Sequence, residues 1–121
     1  MQQSYTVTRA DLVAYADASG DQNPIHQDEE IAVAVGLPGV IAHGMFTMAL
    51  AARAVAEWFP DLELVSLSTK FTNPVVVPAE GGVTVDFAGE ATTDEDLTTV
   101  KLTVTVDGAK VLGMPKAVLR G

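Results

Sequence analysis

From residue 65 onward, apolar and polar side chains alternate with a period of two. Val65, Leu67, Thr69 and Phe71 alternate with Ser66, Ser68, Lys70 and Thr72. Val83, Val85 and Phe87 alternate with Thr84 and Asp86, and Val100, Leu102, Val104 and Val106 with Lys101, Thr103 and Thr105. Each run predicts a strand with one buried face. Asp107-Gly108 is a strong hairpin signal into a final strand over residues 109–119. Pro115 within it calls for a bulge or an edge position, since proline has no N–H to give a ladder.

Before residue 60 the pattern is helical. A short strand is expected over residues 5–8. Thr8-Arg-Ala-Asp11 has the form of a capping box and opens a helix to about Ser19, where Gly20 ends it. Gly20-Asp-Gln-Asn-Pro24 reads as a loop. A second short helix follows, with Asp28, Glu29 and Glu30 against its N-terminal dipole and Gly36 as its stop. Residues 44–59, GMFTMALAARAVAEWF, are apolar nearly all the way round, which predicts a helix buried on most faces. It is too short and too charged to span a membrane. Its many alanines allow a sheet to wrap it closely, and Pro60 marks its end. One buried helix followed by an antiparallel meander is α+β architecture, and a sheet curled around a single central helix is the hot-dog arrangement.

Composition narrows the choice of function. The 121 residues suit one domain with a core of its own, with no repeat or linker. There is no cysteine, which removes disulfides, thiolate catalysis and cysteine-held zinc together. The start of the chain lacks the basic and apolar run of a signal peptide, so a cytoplasmic location is the expectation. A formal charge of −9, from seven basic and sixteen acidic residues, argues against a nucleic-acid partner. Most positive charge sits in the second half, at Lys70, Lys101, Lys110, Lys116 and Arg120. An anionic pantetheine carrier would draw on these, although lysines on strands more often only solvate a face.

The candidate chemistry lies in Ser19-Gly-Asp21-Gln-Asn-Pro24-Ile-His26, where a carboxylate and an imidazole stand five positions apart on a loop. Such a loop can turn both groups toward one point, the usual equipment for moving protons at neutral pH. Taken singly, Asp21 would be read as an Asx-turn or capping residue and His26 as a structural histidine. Their company, with Ala42-His43-Gly44 just ahead of the buried helix, favours the functional reading.

These residues carry a resemblance. Tyr15…Ser19-Gly-Asp-x-Asn-Pro-Ile-His26 followed by Ile41-Ala-His-Gly-Met45 resembles the MaoC-like, (R)-specific enoyl-thioester hydratases (hydratase 2), over nearly the whole chain. Leu12-Val-x-Tyr15, Asn23-Pro-Ile-His26 and Ala42-His-Gly-Met45-x-Thr-Met48 are similar to the B subunit of actinobacterial (3R)-hydroxyacyl-carrier-protein dehydratases. The resemblance implies a hydro-lyase acting on acyl-CoA or acyl carrier protein without a cofactor. It implies Asp21 and His26 as the acid/base pair, with Asp21 on the C2 proton and His26 on the water or leaving hydroxyl. The backbone N–H of Gly44 would hold the thioester oxyanion, and Asn23 and His43 would support the site. The chain departs from homodimeric hydratases in lacking a serine in the first turns of the central helix, where Thr47 is the only hydroxyl. It is too short to hold two hot-dog halves, and the expected partner is a homologous subunit. A heterodimer is favoured over a homodimer, since a second copy would double the negative charge.

Three rivals remain at this point. Asp21, His26 and His43 have the content of a two-histidine, one-carboxylate metal triad, although no metal is expected. A hot-dog thioesterase would use Asp21 to activate water against the carbonyl. A non-catalytic subunit would only shape a partner's pocket.

Overall fold

A computed structural model describes residues Met1–Gly121. Strand β1 (Gln2–Val7) leads into helix α1 (Arg9–Ser19), and Thr8 forms the expected capping box: its side chain accepts from the Asp11 N–H, and Asp11 accepts from the Thr8 N–H. Gly20 closes α1 at φ 82°, a left-handed conformation that glycine adopts without steric penalty. A 3-10 turn precedes the second helix, which starts where the acidic residues place it. Pro24–His26 forms one 3-10 turn, with Asn23 as its cap, and α2 (Glu29–Ala34) follows with Asp28 as its cap. Proline at the first position of the turn fixes its start, and the Asp28 cap begins the next helix afresh.

Helix α3 (Gly44–Trp58) is the long central element. Strands β2 (Glu63–Phe71), β3 (Val83–Asp94), β4 (Leu97–Val106), β5 (Ala109–Lys110) and β6 (Leu112–Arg120) complete the chain. They form one antiparallel sheet in the order β1-β3-β4-β6-β2, with β5 pairing β4. This is the expected α+β hot dog. The alternation in β3 and β4 holds: Val85, Phe87, Val100, Leu102 and Val104 are buried, joined by Ala117 and Leu119 of β6 and by Ala51, Ala54 and Val55 of α3. Leu12 and Ala16 are the buried residues of α1, and Leu12 joins the same core, so the loop that α1 delivers starts from a packed base.

Pro115 lies on an inner strand, between β4 and β2, so the edge option fails and the bulge option holds. The register slips between Ser68↔Lys116 and Lys70↔Gly113, and Met114 takes φ 46°. Two residues of β6 thus face one of β2, leaving the proline outside the ladder.

One expectation is corrected. Strand β2 has no fully buried residue; only Leu67 and Thr69 are partly covered, while Val65 and Phe71 are exposed. It is an edge strand, and α3 covers only part of it. Helix α3 is covered as expected except along one stripe at helical spacing, where Met45, Ala49, Arg53, Ala56 and Glu57 are exposed.

Candidate active site

The loop after α1 is braced from within. The Asp21 N–H donates to Ser19 Oγ (3.1 Å), and the Asn23 N–H donates to Asp21 Oδ1 (3.2 Å). Asn23 Oδ1 in turn accepts from the Ile25 N–H (3.2 Å), the bracing role expected of it. Asp21 is therefore an Asx-turn residue, as its isolated reading suggested, yet the turn uses one carboxylate oxygen and leaves the other free. Gln22 ties the loop to α1 through Asp17 (3.0 Å).

The next wall is the segment just before α3. Ala42 N–H donates to the Val75 carbonyl and Val77 N–H to the Val40 carbonyl, both at 2.9 Å, so residues 40–42 run beside the 75–77 stretch of the β2–β3 connection. The Ile41 carbonyl then faces His26 and accepts a hydrogen bond from Nδ1 (2.7 Å). A carbonyl can only accept, so Nδ1 carries hydrogen and Nε2 is the nitrogen left for chemistry.

His43 caps α3 by position, with no side-chain hydrogen bond to the helix. Its ring stacks on that of His26 with centroids 3.7 Å apart and planes at 22°, while the Tyr15 ring packs against it at 4.8 Å. Its Nε2 donates to the Asp21 carbonyl (3.1 Å), and its buried Nδ1 has no partner. Gly44 opens the helix, where the first N–H groups have no intrahelical acceptor. A Cβ there would lie 2.9 Å from a ring carbon of Phe71, so a larger residue would have to push that ring aside.

These groups line one cavity of about 390 Å³. Asp21, His26, His43, Gly44 and Thr47 supply its polar side, and Met45, Phe71, Val75, Val111 and Leu112 its apolar side. A carboxylate oxygen of Asp21 and ring nitrogens of both histidines lie within 4.8 Å of one another. Burial divides the pair: His26 is buried and Asp21 exposed. Asn23 stands behind the cavity rather than on it. Phe71, the Ile41 carbonyl and the Tyr15–His43 contact were not singled out from the sequence; only the fold brings them here. Lys70 and Lys110 are exposed and adjoin the lining residues Phe71 and Val111.

The three metal-ligand residues do come together, but the donors suit a shared ion poorly. Imidazole lone pairs lie in the ring planes. Two rings stacked 3.7 Å apart direct theirs side by side rather than to one point. His26 Nδ1 and His43 Nε2 are, besides, committed to carbonyls.

Residues 1–110 match the family model described as MaoC like domain. Among curated proteins, the chain is 43% identical over 77 residues to 3-hydroxyacyl-thioester dehydratase X of Mycobacterium tuberculosis, covering 64% of this chain and 27% of that protein. It is 37% identical over 70 residues to a mitochondrial 3-hydroxyacyl-[acyl-carrier-protein] dehydratase of Arabidopsis thaliana, covering 58% of this chain and 42% of that protein. The chain thus matches less than half the length of either relative. Among solved structures, a MaoC-like dehydratase superposes with TM-score 0.92 at 35% identity, over 99% of this chain and 38% of that one. An (R)-hydratase from A. caviae superposes with TM-score 0.87 at 25% identity, over 99% of this chain and 92% of that one.

Proposed function

Because the chain belongs to the MaoC-like domain family, we propose that its cavity adds water to trans-2-enoyl thioesters and removes it from (3R)-hydroxyacyl thioesters. The observation that carries this reading is the placement of Asp21 and His26 on one cavity with the N-terminus of α3.

In dehydration the free carboxylate oxygen of Asp21 takes a proton from C2 of the substrate. The electron pair moves to the thioester oxygen and returns to form the C2–C3 double bond. The C3 hydroxyl leaves as water with the Nε2 proton of His26 in its imidazolium form, whose Nδ1–H stays on the Ile41 carbonyl. Hydration is the reverse, with His26 Nε2 drawing the proton from water as it adds to C3. Charge on the thioester oxygen is met by the Gly44 N–H, aided by the helix dipole. No metal or redox group enters these steps. The relatives' names, dehydratase and (R)-hydratase, support the same reaction.

The acyl carrier is CoA or acyl carrier protein, and the setting is cytoplasmic; no helix is long and apolar enough to cross a membrane. A homologous hot-dog subunit completes the molecule. Edge strand β2 exposes Leu64, Val65 and Phe71, and α3 exposes Met45, which lines the cavity with Phe71, whereas edge strand β1 shows mostly polar groups. An apolar edge with unpaired backbone is suited to pairing. The −9 charge favours a more basic subunit over a second copy.

The test uses the two 3-hydroxybutyryl-CoA epimers, with the chain alone and with candidate partners. Enoyl absorbance should rise with the 3R epimer only. Release of free thiol would instead support the thioesterase reading, and turnover of the 3S epimer would refute the stereochemical one.

A further inference from the structure

His43 is spent neither on the proton steps nor on capping α3, yet it is 2% exposed and touches both members of the acid/base pair. Its Nε2–H holds the backbone carbonyl of Asp21 at 3.1 Å. Its ring lies flat on the His26 imidazole at 3.7 Å. Tyr15 and the backbone at the start of α3 fix the ring in turn: Tyr15 packs on it at 4.8 Å, and its carbonyl accepts from the Phe46 N–H (3.0 Å) and the Thr47 N–H (3.2 Å).

Asp21 sits on an exposed loop, and its own other bonds are local, to Ser19 and Asn23, while Gln22 ties the loop to Asp17 (3.0 Å) and Gln27 (2.9 Å). Those bonds shape the loop but do not reach α3. The His43–Asp21 bond links Asp21 directly to the residue that precedes α3, spanning 22 positions of sequence. It has a cost, since the buried Nδ1 is left without a donor. A side chain chosen only for packing would not need to carry that atom.

We propose that His43 is a positioning residue: one N–H···O=C bond to Asp21 and one stacked face on His26 hold the carboxylate and the imidazole in register with the Gly44 N–H. This rests on Asp21 and His26 being the acid/base pair. It assigns His43 no proton of the reaction.

Two variants separate the two contacts. His43→Gln places an amide N–H where Nε2 stood and loses the stack, whereas His43→Phe keeps a stacked ring and loses the donor. A misplacement of about 1 Å can cost on the order of a hundredfold in rate. His43→Phe should therefore lose about tenfold or more in kcat with KM changed less than about twofold, and His43→Gln should recover a substantial part of that loss. Nitrogen-15 NMR of the wild-type chain should show hydrogen on Nε2 and none on Nδ1, which reads the bond even where a variant fails to fold. Full kcat in His43→Phe, or hydrogen on Nδ1 instead of Nε2, would overturn the proposal. So would a His43→Gln variant as slow as His43→Phe. Asp21→Asn run in parallel keeps the premise separate: if it retains full turnover, the acid/base reading fails rather than the role of His43.

Discussion

The two ends of α3 are built on opposite terms. At its C-terminal end Glu57 accepts from Tyr5 Oη (2.9 Å), Gln3 Nε2 (2.6 Å) and Arg53 Nε (3.1 Å), and the Arg53 guanidinium lies 4.5 Å over the Tyr5 ring. The Trp58 indole N–H reaches the Gln2 carbonyl at 3.4 Å. This end anchors the helix to β1, and its polar groups are paired. At the N-terminal end the cap gives the helix no side-chain bond, a buried imidazole nitrogen lacks a partner, and the first turn opens on a cavity. Groups left unsatisfied where a ligand can reach them are what a site needs, whereas the same economy at a purely structural end would only lose stability.

The sharpest way to break this contrast is at the open end. Asp21→Asn and His26→Gln should each lower hydratase turnover by about a hundredfold or more, with melting temperature little changed. Steady-state kinetics on trans-2-enoyl-CoA, with calorimetry alongside, reads both quantities. Near-normal turnover in either variant would remove that residue from the pair.

Gly44→Val is next. Its side chain would meet the Phe71 ring and crowd the approach to the backbone N–H. Loss of one oxyanion donor is worth about 3 kcal/mol, so kcat should fall by roughly a hundredfold while the fold persists. Turnover unaffected by valine would show that the Gly44 N–H does not hold the oxyanion.

Legibility from the sequence followed the same division. That Asp21, His26 and Gly44 meet at one cavity was readable because a compact motif and the start of the apolar helix carry them. Strands β3 and β4 were readable because a sheet with one covered face imposes alternation. Strand β2 has the same alternation, but period alone does not say what covers a face, and here the chain leaves most of it bare. The 3-10 turn at Pro24–His26 was not readable, because it depends on the Asn23 side chain capping a turn in what reads as a loop. The His26–His43 stack joins two motifs that adjoin only after the 40–42 and 75–77 segments pair.

At the closed end the expected effects are smaller and fall on stability alone. Tyr5→Phe and Glu57→Gln should each lower Tm by a few degrees and leave kcat within about twofold, since neither touches the cavity. A large loss of turnover in either would break the contrast between the ends.

The smallest effect is in pH dependence. Burial, with the bond to Glu57 and the charge of that carboxylate, raises the Tyr5 hydroxyl from 10.0 to about 12, against the opposing charge of Arg53. A raised value stabilises the protonated folded state, so this contribution is complete below pH 10.0 and is lost as pH climbs toward about 12. The bonds from Tyr5, Gln3 and Arg53 hold the Glu57 carboxyl below its ordinary 4.5, so its contribution is present above that value and lost as pH falls through the lowered one. The Tm difference between wild type and Tyr5→Phe should therefore narrow above pH 10.0. A gap that stays constant to pH 12 would show that the bond does not govern Tyr5 ionisation.

The central claim is that this cavity moves water on and off C3 while leaving the thioester whole. It is tested most directly by incubating crotonyl-CoA with the chain, alone and with candidate homologous partners, in oxygen-18 water and analysing the products by mass. The account predicts one labelled oxygen at C3 of an intact 3-hydroxybutyryl-CoA, with no free thiol. Label in a free carboxylate together with released CoA, or no incorporation with any partner, would contradict it.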